Sequence, residues 1–116
     1  MGMSLQQTRE TLLAYAQASL MHTDTADFFS DTIVSTMMNT GEKAHGRAAV
    51  TQQIATLQDR ARDLIPRSAI FGEGQAAVEI DFVAKEGHTI PYSIIYDFGG
   101  GQITAIRFYF AGNVPT

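Results

Sequence analysis

Three tyrosines and one histidine are the side chains of this sequence best suited to act on a bound molecule. Tyr15 lies at the edge of the apolar arc of a predicted helix, and Tyr92 and Tyr96 lie on one face of a predicted strand. A tyrosine combines an apolar ring with a hydroxyl that can donate a hydrogen bond to a ligand oxygen. His45, just before the third predicted helix, could act as a base near a pocket mouth. Two alternatives stay open: tyrosine rings that only pack at the core edge, and a histidine that only lies in a loop or cap.

The other histidines and the glycine-rich segments predict neither a metal site nor a cofactor. His22 and His88 fall in predicted turns, where solvation is expected, and the three histidines share no ligand spacing with any acidic residue. Residues 71–75, FGEGQ, contain Gly-x-Gly but do not open a helix as a phosphate-binding loop does. The chain has no cysteine, which excludes disulfides and thiolate chemistry.

Length and charge are those of a small globular domain. The 116 residues predict one domain over 1–116, with one core and room for one internal pocket. A formal charge of −4 and 8 scattered Lys and Arg residues argue against a nucleic-acid partner. No apolar run approaches a membrane span and no secretory signal opens the chain, so we expect no membrane partner and take the cytoplasm as the default location.

Apolar residues alternate through residues 88–111, which predicts two strands joined at three consecutive glycines. A three-residue loop there places Ile94 opposite Ile106 and Tyr92 opposite Phe108. A two-residue turn would shift the pairing by one residue and split the apolar residues between the two faces. We therefore predict the three-residue loop, which makes one continuous apolar wall.

The strand before this hairpin extends the wall. Residues 75–84 alternate with period two, and the loop that ends at Gly87 has the same x-x-Gly form. That loop places Ile80 opposite Tyr92 and so predicts a third antiparallel strand.

Helical spacing dominates the first half of the chain. A helix is predicted from Ser4 to about residue 21, and a longer one over residues 47–64, ended by Pro66. The longer helix has an apolar stripe that ends at Leu64, and Gln53 is predicted to face away from it. The pieces predicted around them are a short helix carrying Phe28 and Phe29, a strand over 32–38, a loop over 39–46 and a short strand over 68–71. Helices first and an antiparallel meander last predict an α+β domain with its helices on one face of the sheet.

Four short segments follow the order of a known superfamily. They are SLMHTD at the end of the first helix, FFSD before the first strand, GRAAVTQQI at the start of the long helix, and YDFGGGQITAIRFYF in the last hairpin. In this order they resemble the nuclear transport factor 2-like superfamily, especially its SnoaL-like and ketosteroid-isomerase-like branches. The resemblance covers nearly the whole chain through individually weak motifs. It implies a cone, in which a curved antiparallel sheet wraps around the N-terminal helices and encloses a pocket.

The resemblance also implies positions to examine for catalysis. Ketosteroid isomerases use a tyrosine on the first helix as an oxyanion donor, and Tyr15 matches it. Their general base falls on Thr36 or Met37 in this sequence, and their second oxyanion donor falls on Ile94. None of these three can replace an acidic group, so steroid isomerase chemistry is not expected. The acid that polyketide cyclases use has no assigned position in this sequence.

Charged residues of the last strands are predicted to lie on the outer face of the sheet. Glu79, Asp81 and Arg107 have outward parity, so the Asp-Arg-Asp arrangement of the epoxide hydrolases has no counterpart. Glu79, Ser93 and Arg107 form one row in the predicted register. The same face is predicted to expose Ile95, Ile103, Ala105 and Tyr109. Exposed apolar patches usually mark an interaction site, which predicts a homodimer through this face, as the resemblance also implies.

These observations favour binding over catalysis. We expect a small, mostly apolar molecule in a pocket lined by Tyr15, Tyr92, Ile94, Tyr96, Ile106 and Phe108. The alternative is a cofactor-free isomerase, cyclase or hydrolase with Tyr15 and His45 in its site. A third hypothesis is a structural dimer whose cavity is filled by its own Phe and Met side chains.

Overall fold

The computed structural model describes residues 2–21 and 23–115, which form two α-helices and six strands. The helices are α1, Leu5–Leu20, and α2, Arg47–Asp59. The strands are β1 (Phe29–Met37), β2 (Glu42–His45), β3 (Ala61–Gly72), β4 (Gln75–Ala84), β5 (Thr89–Gly99) and β6 (Gln102–Phe110), with a 3₁₀ turn, Ala26–Phe28, leading into β1. None of the helices in these ranges is long and apolar enough to cross a membrane.

All six strands belong to one curved, mixed sheet in the order β2-β1-β6-β5-β4-β3. β1 and β6 run parallel, and the other neighbouring strands run antiparallel. The helices pack on one face of the sheet, where most of the buried side chains lie. The prediction of an α+β cone, with three consecutive antiparallel strands over residues 75–111, is confirmed.

The start of α1 follows directly from its sequence. Gln7 N donates to Ser4 Oγ at 3.1 Å and Ser4 N donates to Gln7 Oε1 at 3.0 Å, which is the predicted capping box. Thr8, fully buried, accepts a hydrogen bond from Gly74 N at 2.9 Å. The cap and this bond fix the N-terminal half of α1 against the turn between β3 and β4.

The long helix is shorter than predicted, and the strand after it is longer. α2 ends at Asp59, and Leu64, predicted on its apolar stripe, lies opposite Phe82 in the sheet. Pairing with β4 along nearly the whole of β3 satisfies the backbone of these residues, and it overrides their local helical spacing. Pro66 fits because β3 is an edge strand, where a missing N–H can face away from the sheet.

The opposite edge of the sheet carries a strand that the sequence did not predict. Residues 42–45, predicted as loop, form β2 and pair with β1, with Val34 opposite His45. Their side chains are mostly exposed and show no apolar alternation, so the usual strand signal is missing. β1 itself begins at Phe29, three residues before the predicted strand, and Phe29 is fully buried.

α2 also faces the sheet differently from the prediction. Gln53 was predicted to face away from the core, but its side-chain oxygen accepts a hydrogen bond from Ser35 Oγ on β1. Ser35 is fully buried, so this bond satisfies a hydroxyl that would otherwise be desolvated without a partner. A polar contact therefore joins α2 to β1.

The turn between β4 and β5 has the predicted register. Ile80 lies opposite Tyr92 and Phe82 lies opposite Ile90. Gly87 takes a positive φ of 102°, as the last residue of such a loop requires.

The turn between β5 and β6 is not the predicted three-residue loop. Gly99 lies opposite Gln102, so the loop is the pair Gly100 and Gly101, with φ of 59° and 81°. Two consecutive positive φ values give the tight turn that matches the twist of a hairpin, and glycine adopts them at no steric cost.

A β-bulge then preserves the apolar wall that this turn alone would split. Thr104 is the extra residue of β6, and beyond it Tyr96 lies opposite Ile106 and Ile94 opposite Phe108. The predicted partners were wrong by two residues. Beyond the bulge, a shift of two residues keeps each side chain on its predicted face, so the apolar wall is retained.

The bulge changes the face of only the residues near the turn. Ile103, predicted on the outer face, lies opposite Phe98 and is fully buried. The predicted outer row is wrong at Arg107. Glu79 lies opposite Ser93 as predicted, but Tyr109 lies opposite Ser93 on the other side, and Arg107 lies opposite Ile95.

Candidate functional site

A cavity of about 430 Å³ lies between the inner face of the sheet and the two helices. Its volume is within the roughly 300–1,000 Å³ typical of small-molecule sites. Apolar side chains from α1, α2 and the β3–β6 strands form most of its wall. They include Leu12, Leu13, Ala16, Leu20, Ile54, Leu57, Leu64, Pro66, Ala69, Phe71, Val78 and Ile80.

The cavity brings together the six residues that the sequence predicted as ligand contacts. Tyr15 reaches it from α1, and the other five, Tyr92, Ile94, Tyr96, Ile106 and Phe108, reach it from β5 and β6. They share this wall because alternate residues of neighbouring strands point to the same face. Their role in ligand binding stays a prediction.

The β3 part of the wall was missed by the sequence analysis. Leu64 and Pro66 lie on the inner face before the irregular pairing at Arg67, and Ala69 and Phe71 lie there after it. One extra residue breaks the period-two pattern, so the sequence predicted only residues 68–71 of this strand. Apolar spacing instead favoured a helix as far as residue 64.

Aromatic packing holds the three cavity tyrosines. The Tyr15 ring lies 5.6 Å from that of Phe29 and 6.0 Å from that of Tyr96, measured between centroids. The Tyr92 ring stacks on that of Phe110 at 4.6 Å, with only 8° between their planes. Rings held in this way present their hydroxyls from fixed positions.

The three tyrosine hydroxyls have no protein partner within residues 2–21 and 23–115. None of them is bonded to another described side chain or backbone group, yet none is among the buried polar atoms sealed away without a partner. Those sealed atoms are Ser30 Oγ, Thr51 Oγ1 and Gln53 Nε2. The side chains that carry these three hydroxyls line the cavity.

The other polar groups at the cavity wall are already paired. Arg67 Nη2 lies 2.5 Å from Asp81 Oδ2. Gln58 Nε2 donates to Ser19 Oγ at 3.2 Å, and Ser68 Oγ donates to Glu79 Oε1 at 2.6 Å. Each of these groups has a protein partner, whereas the three tyrosine hydroxyls have none among the described residues.

Burial keeps these hydroxyls protonated. Desolvation raises the pKa of Tyr15 to about 12. It also raises the pKa values of Tyr92 and Tyr96, and the negative charge that Tyr15 would carry raises both further. Near neutral pH all three side chains are hydrogen-bond donors rather than bases.

The remaining catalytic candidates lie away from the cavity. His45 is exposed at the end of β2 and does not contribute to the wall. Glu79 and Asp81 bond to β3, and Arg107 bonds to Asp97 at 2.7 Å, on the outer side of the sheet. Among the described residues that line the cavity, Arg67 is the charged side chain and no carboxylate is present. His22 lies outside the described residues.

The positions at which ketosteroid isomerases carry acids are apolar or neutral here. Ile94 contributes a buried aliphatic side chain to the cavity. Met37 is buried and lines a different depression, between α2 and β2. In the part of the chain that the structure describes, no group of three or more His, Asp or Glu residues could hold a metal ion.

Comparison with known proteins identifies the fold. No family model matches the sequence, and no curated protein matches it. A nuclear transport factor 2-like protein of unknown function from Mesorhizobium loti has a TM-score of 0.83 at 15% identity, covering 93% of each chain. A ketosteroid isomerase-like protein from Kribbella flavida has a TM-score of 0.78 at 13% identity, covering 97% of this chain and 83% of that one.

A SnoaL-like protein from Mesorhizobium loti gives the same result, with a TM-score of 0.69 at 21% identity. It covers 87% of this chain and 97% of the relative. At such low identities the similarity establishes a shared fold, and the resemblance inferred from the order of the sequence segments is confirmed.

Proposed function

We propose that this domain, with its nuclear transport factor 2-like fold, binds a small, mostly apolar molecule in the cavity between the helices and the sheet. The observation that carries the proposal is the cavity itself: about 430 Å³, walled by aliphatic and aromatic side chains, with three tyrosine hydroxyls that make no hydrogen bond to a described residue. Sites for small molecules combine a mainly apolar wall with a few polar groups in this way.

The size of the cavity limits the ligand. A volume of 430 Å³ corresponds to about 14 water molecules at roughly 30 Å³ each in the liquid. Two fused rings with a short substituent suit such a space. This open volume favours ligand binding over a cavity filled by the protein's own side chains.

Acid–base catalysis has less support. The alternative of an isomerase, cyclase or hydrolase needs a base close to Tyr15, and His45 is exposed on β2, outside the cavity wall. The raised pKa of Tyr15 makes that residue itself a poor base near neutral pH. These features favour a binding protein.

A residue too large for the cavity should remove binding. We expect Val78→Trp to weaken binding of the fluorescent ketone 6-propionyl-2-dimethylaminonaphthalene by roughly a hundredfold, since about 110 Å² of lost apolar contact costs about 2.8 kcal/mol. Val78 lines the cavity, so the indole would occupy the ligand's space. Emission measured during a titration with protein gives the two dissociation constants.

The control is Ala48→Trp, at an exposed residue of α2 that does not line the cavity. It adds the same ring without entering the cavity and should leave the dissociation constant of the dye unchanged. Equal weakening by both variants, or by neither, would contradict the proposal.

We also propose a homodimer through the outer face of the sheet. Tyr109 is 41% exposed and Ile70 is 70% exposed on this face, where Ile70, Ala77 and Ile95 form one row. Ile103 does not take part, because it is buried. Sedimentation equilibrium at micromolar concentration should give twice the chain mass of 12.6 kDa, and a monomer would contradict the proposal.

A further inference from the structure

We propose a second binding site, for a small zwitterion, in the depression between α2, β2 and the C-terminal segment, residues 111–115. Its volume is about 360 Å³, and α2 separates it from the cavity described above. Gln58 lines the cavity from one side of α2, Gln53 and Thr56 line the depression from the other, and the buried Leu57 contributes to both. This site therefore does not depend on the proposed function.

The floor of the depression is apolar. Met37 and Leu57 are only 5% and 4% exposed, and Ala44 and Val114 are partly buried against the same core. Apolar surface of a ligand that leaves water to contact these side chains stabilises the complex roughly in proportion to its area. The floor therefore suits a ligand with a hydrocarbon group.

Two opposite charges line the depression without forming an ion pair with each other. Glu42 reaches it from β2 and Arg60 reaches it from the end of α2, and both residues are exposed. The ion pairs among the described residues involve other side chains. Among the described residues that line the depression, Glu42 and Arg60 are the charged ones. One wall therefore offers a carboxylate and the other a guanidinium.

The C-terminal segment orients Arg60. Arg60 Nη1 donates to Pro115 O at 2.8 Å. The segment is fixed in turn by Asn39, whose Nδ2 donates to Phe110 O at 2.8 Å and to Gly112 O at 3.0 Å. A guanidinium carries five N–H donors in a rigid plane, which matches the two oxygens of a carboxylate. The bond to Pro115 uses one of these donors, so Arg60 can also bind a ligand carboxylate.

Gln53 adds a donor that the protein does not use. Its side-chain oxygen accepts a hydrogen bond from Ser35 Oγ, but its Nε2 is buried and bonds to no described residue. A buried donor without an acceptor is destabilising. Since Gln53 lines the depression, a carboxylate bound beside it would supply the missing acceptor.

These groups together select a molecule that carries both charges. A carboxylate alone would attract Arg60 but be repelled by Glu42, and an amine alone would meet the reverse. One exposed ion pair is weak, but a second pair made by the same molecule forms without a second loss of translational freedom. The volume of 360 Å³ corresponds to about 12 water molecules at roughly 30 Å³ each. An α-amino acid with an aliphatic side chain has the charges, the hydrocarbon group and the size.

L-Leucine and two analogues test this class of ligand. 4-Methylpentanoate lacks the ammonium group and 3-methylbutylamine lacks the carboxylate, but both keep the aliphatic group. The ¹³C-labelled methyl group of Met37 reports binding through its NMR shift, and Met3, which lies outside the depression, is the reference. We expect a saturable Met37 shift with millimolar leucine. Near neutral pH leucine should bind at least about threefold more tightly than either analogue.

Charge-removing variants separate the two contacts. Glu42→Gln should abolish the preference for leucine over 4-methylpentanoate and keep its preference over 3-methylbutylamine. Arg60→Gln should have the opposite effect, and Arg60→Lys, which keeps the charge, should retain both preferences. The matched controls are Glu73→Gln and Arg62→Gln, at exposed residues that do not line the depression. They should leave all three dissociation constants unchanged.

An unshifted Met37 signal with leucine at tens of millimolar, or leucine binding no tighter than its analogues, would overturn this inference. Equal changes in the control variants would also overturn it. Leucine should not displace 6-propionyl-2-dimethylaminonaphthalene from the cavity, and displacement with an unchanged Met37 signal would contradict a second site. If the dye did not bind at all, the proposed function would fail, and the leucine result would still decide this inference.

Discussion

With a β,γ-unsaturated ketosteroid as substrate, the protein is expected to form conjugated enone no faster than buffer does. The reaction needs a base that removes a proton beside the carbonyl and donors that hold the resulting oxyanion. General-base catalysis contributes roughly 10²–10⁴-fold, and a lost oxyanion donor costs roughly another 10²–10³-fold. Here the expected base position is Thr36 or Met37, and the second donor position is Ile94.

Tyr15 cannot replace the missing base, because burial raises its pKa to about 12. The measurement is the absorbance of the enone, with buffer and the Tyr15→Phe variant as controls. Turnover well above the buffer rate that disappears in Tyr15→Phe would overturn the binding hypothesis. It would mean that an acidic group acts in this cavity.

Truncating Phe82 is expected to cost the fold about 3–5 kcal/mol of unfolding free energy. Phe82 is fully buried, and its ring packs edge-on against Tyr92 at 6.3 Å and Phe110 at 6.2 Å. Phe82→Ala would leave a space that these two rings cannot fill without losing their stacking on each other. Urea unfolding at equilibrium measures the difference in free energy.

Leu5→Ala is the control for Phe82→Ala. Leu5 is 48% exposed on α1, outside the proposed dimer face, so its truncation should change the free energy of unfolding by no more than about 0.5 kcal/mol. A loss below about 1 kcal/mol for Phe82→Ala would show that the packing around β4 is looser than these contacts indicate.

The antiparallel strands β4, β5 and β6 could be predicted because they depend on one property, the alternation of apolar and polar residues. Alternation fixes which face a residue occupies, and an x-x-Gly loop fixed the pairing of Ile80 with Tyr92. At the last hairpin the prediction excluded the two-residue turn because that turn alone splits the apolar wall. The protein has the two-residue turn, and a β-bulge at Thr104 returns the apolar residues of β6 to the inner face. The pattern of apolar residues does not predict this bulge.

The region between α2 and β3 could not be predicted, because local spacing and long-range pairing disagree there. Apolar residues at Leu57, Ala61 and Leu64 have helical spacing, yet only Leu57 lies on the helix. Residues from Ala61 onward pair with β4. This pairing depends on residues that are distant in the sequence, so a local pattern cannot predict it. The same error placed Leu64 on a helix and so hid its contribution to the cavity wall.

The inner wall of the cavity was predicted more closely than the pairing that builds it. Tyr92, Ile94 and Tyr96 depend only on the parity of β5, which a two-residue error leaves unchanged. That the hydroxyls of Tyr92 and Tyr96 make no hydrogen bond to a described residue could not be predicted, because hydrogen-bond partners depend on the final positions of side chains from several elements.

The location of a bound ligand is the most direct test of the proposed function. Isoleucine methyl groups labelled with ¹³C provide reporters on both faces of the sheet, and their NMR shifts can be followed while 2-acetylnaphthalene is added. Ile94 and Ile106 line the cavity, whereas Ile70 and Ile95 lie on the outer face. We expect large, saturable shifts for Ile94 and Ile106 and small ones for Ile70 and Ile95. Unchanged Ile94 and Ile106 signals at saturating ligand, or shifts confined to Ile70 and Ile95, would contradict binding in the cavity.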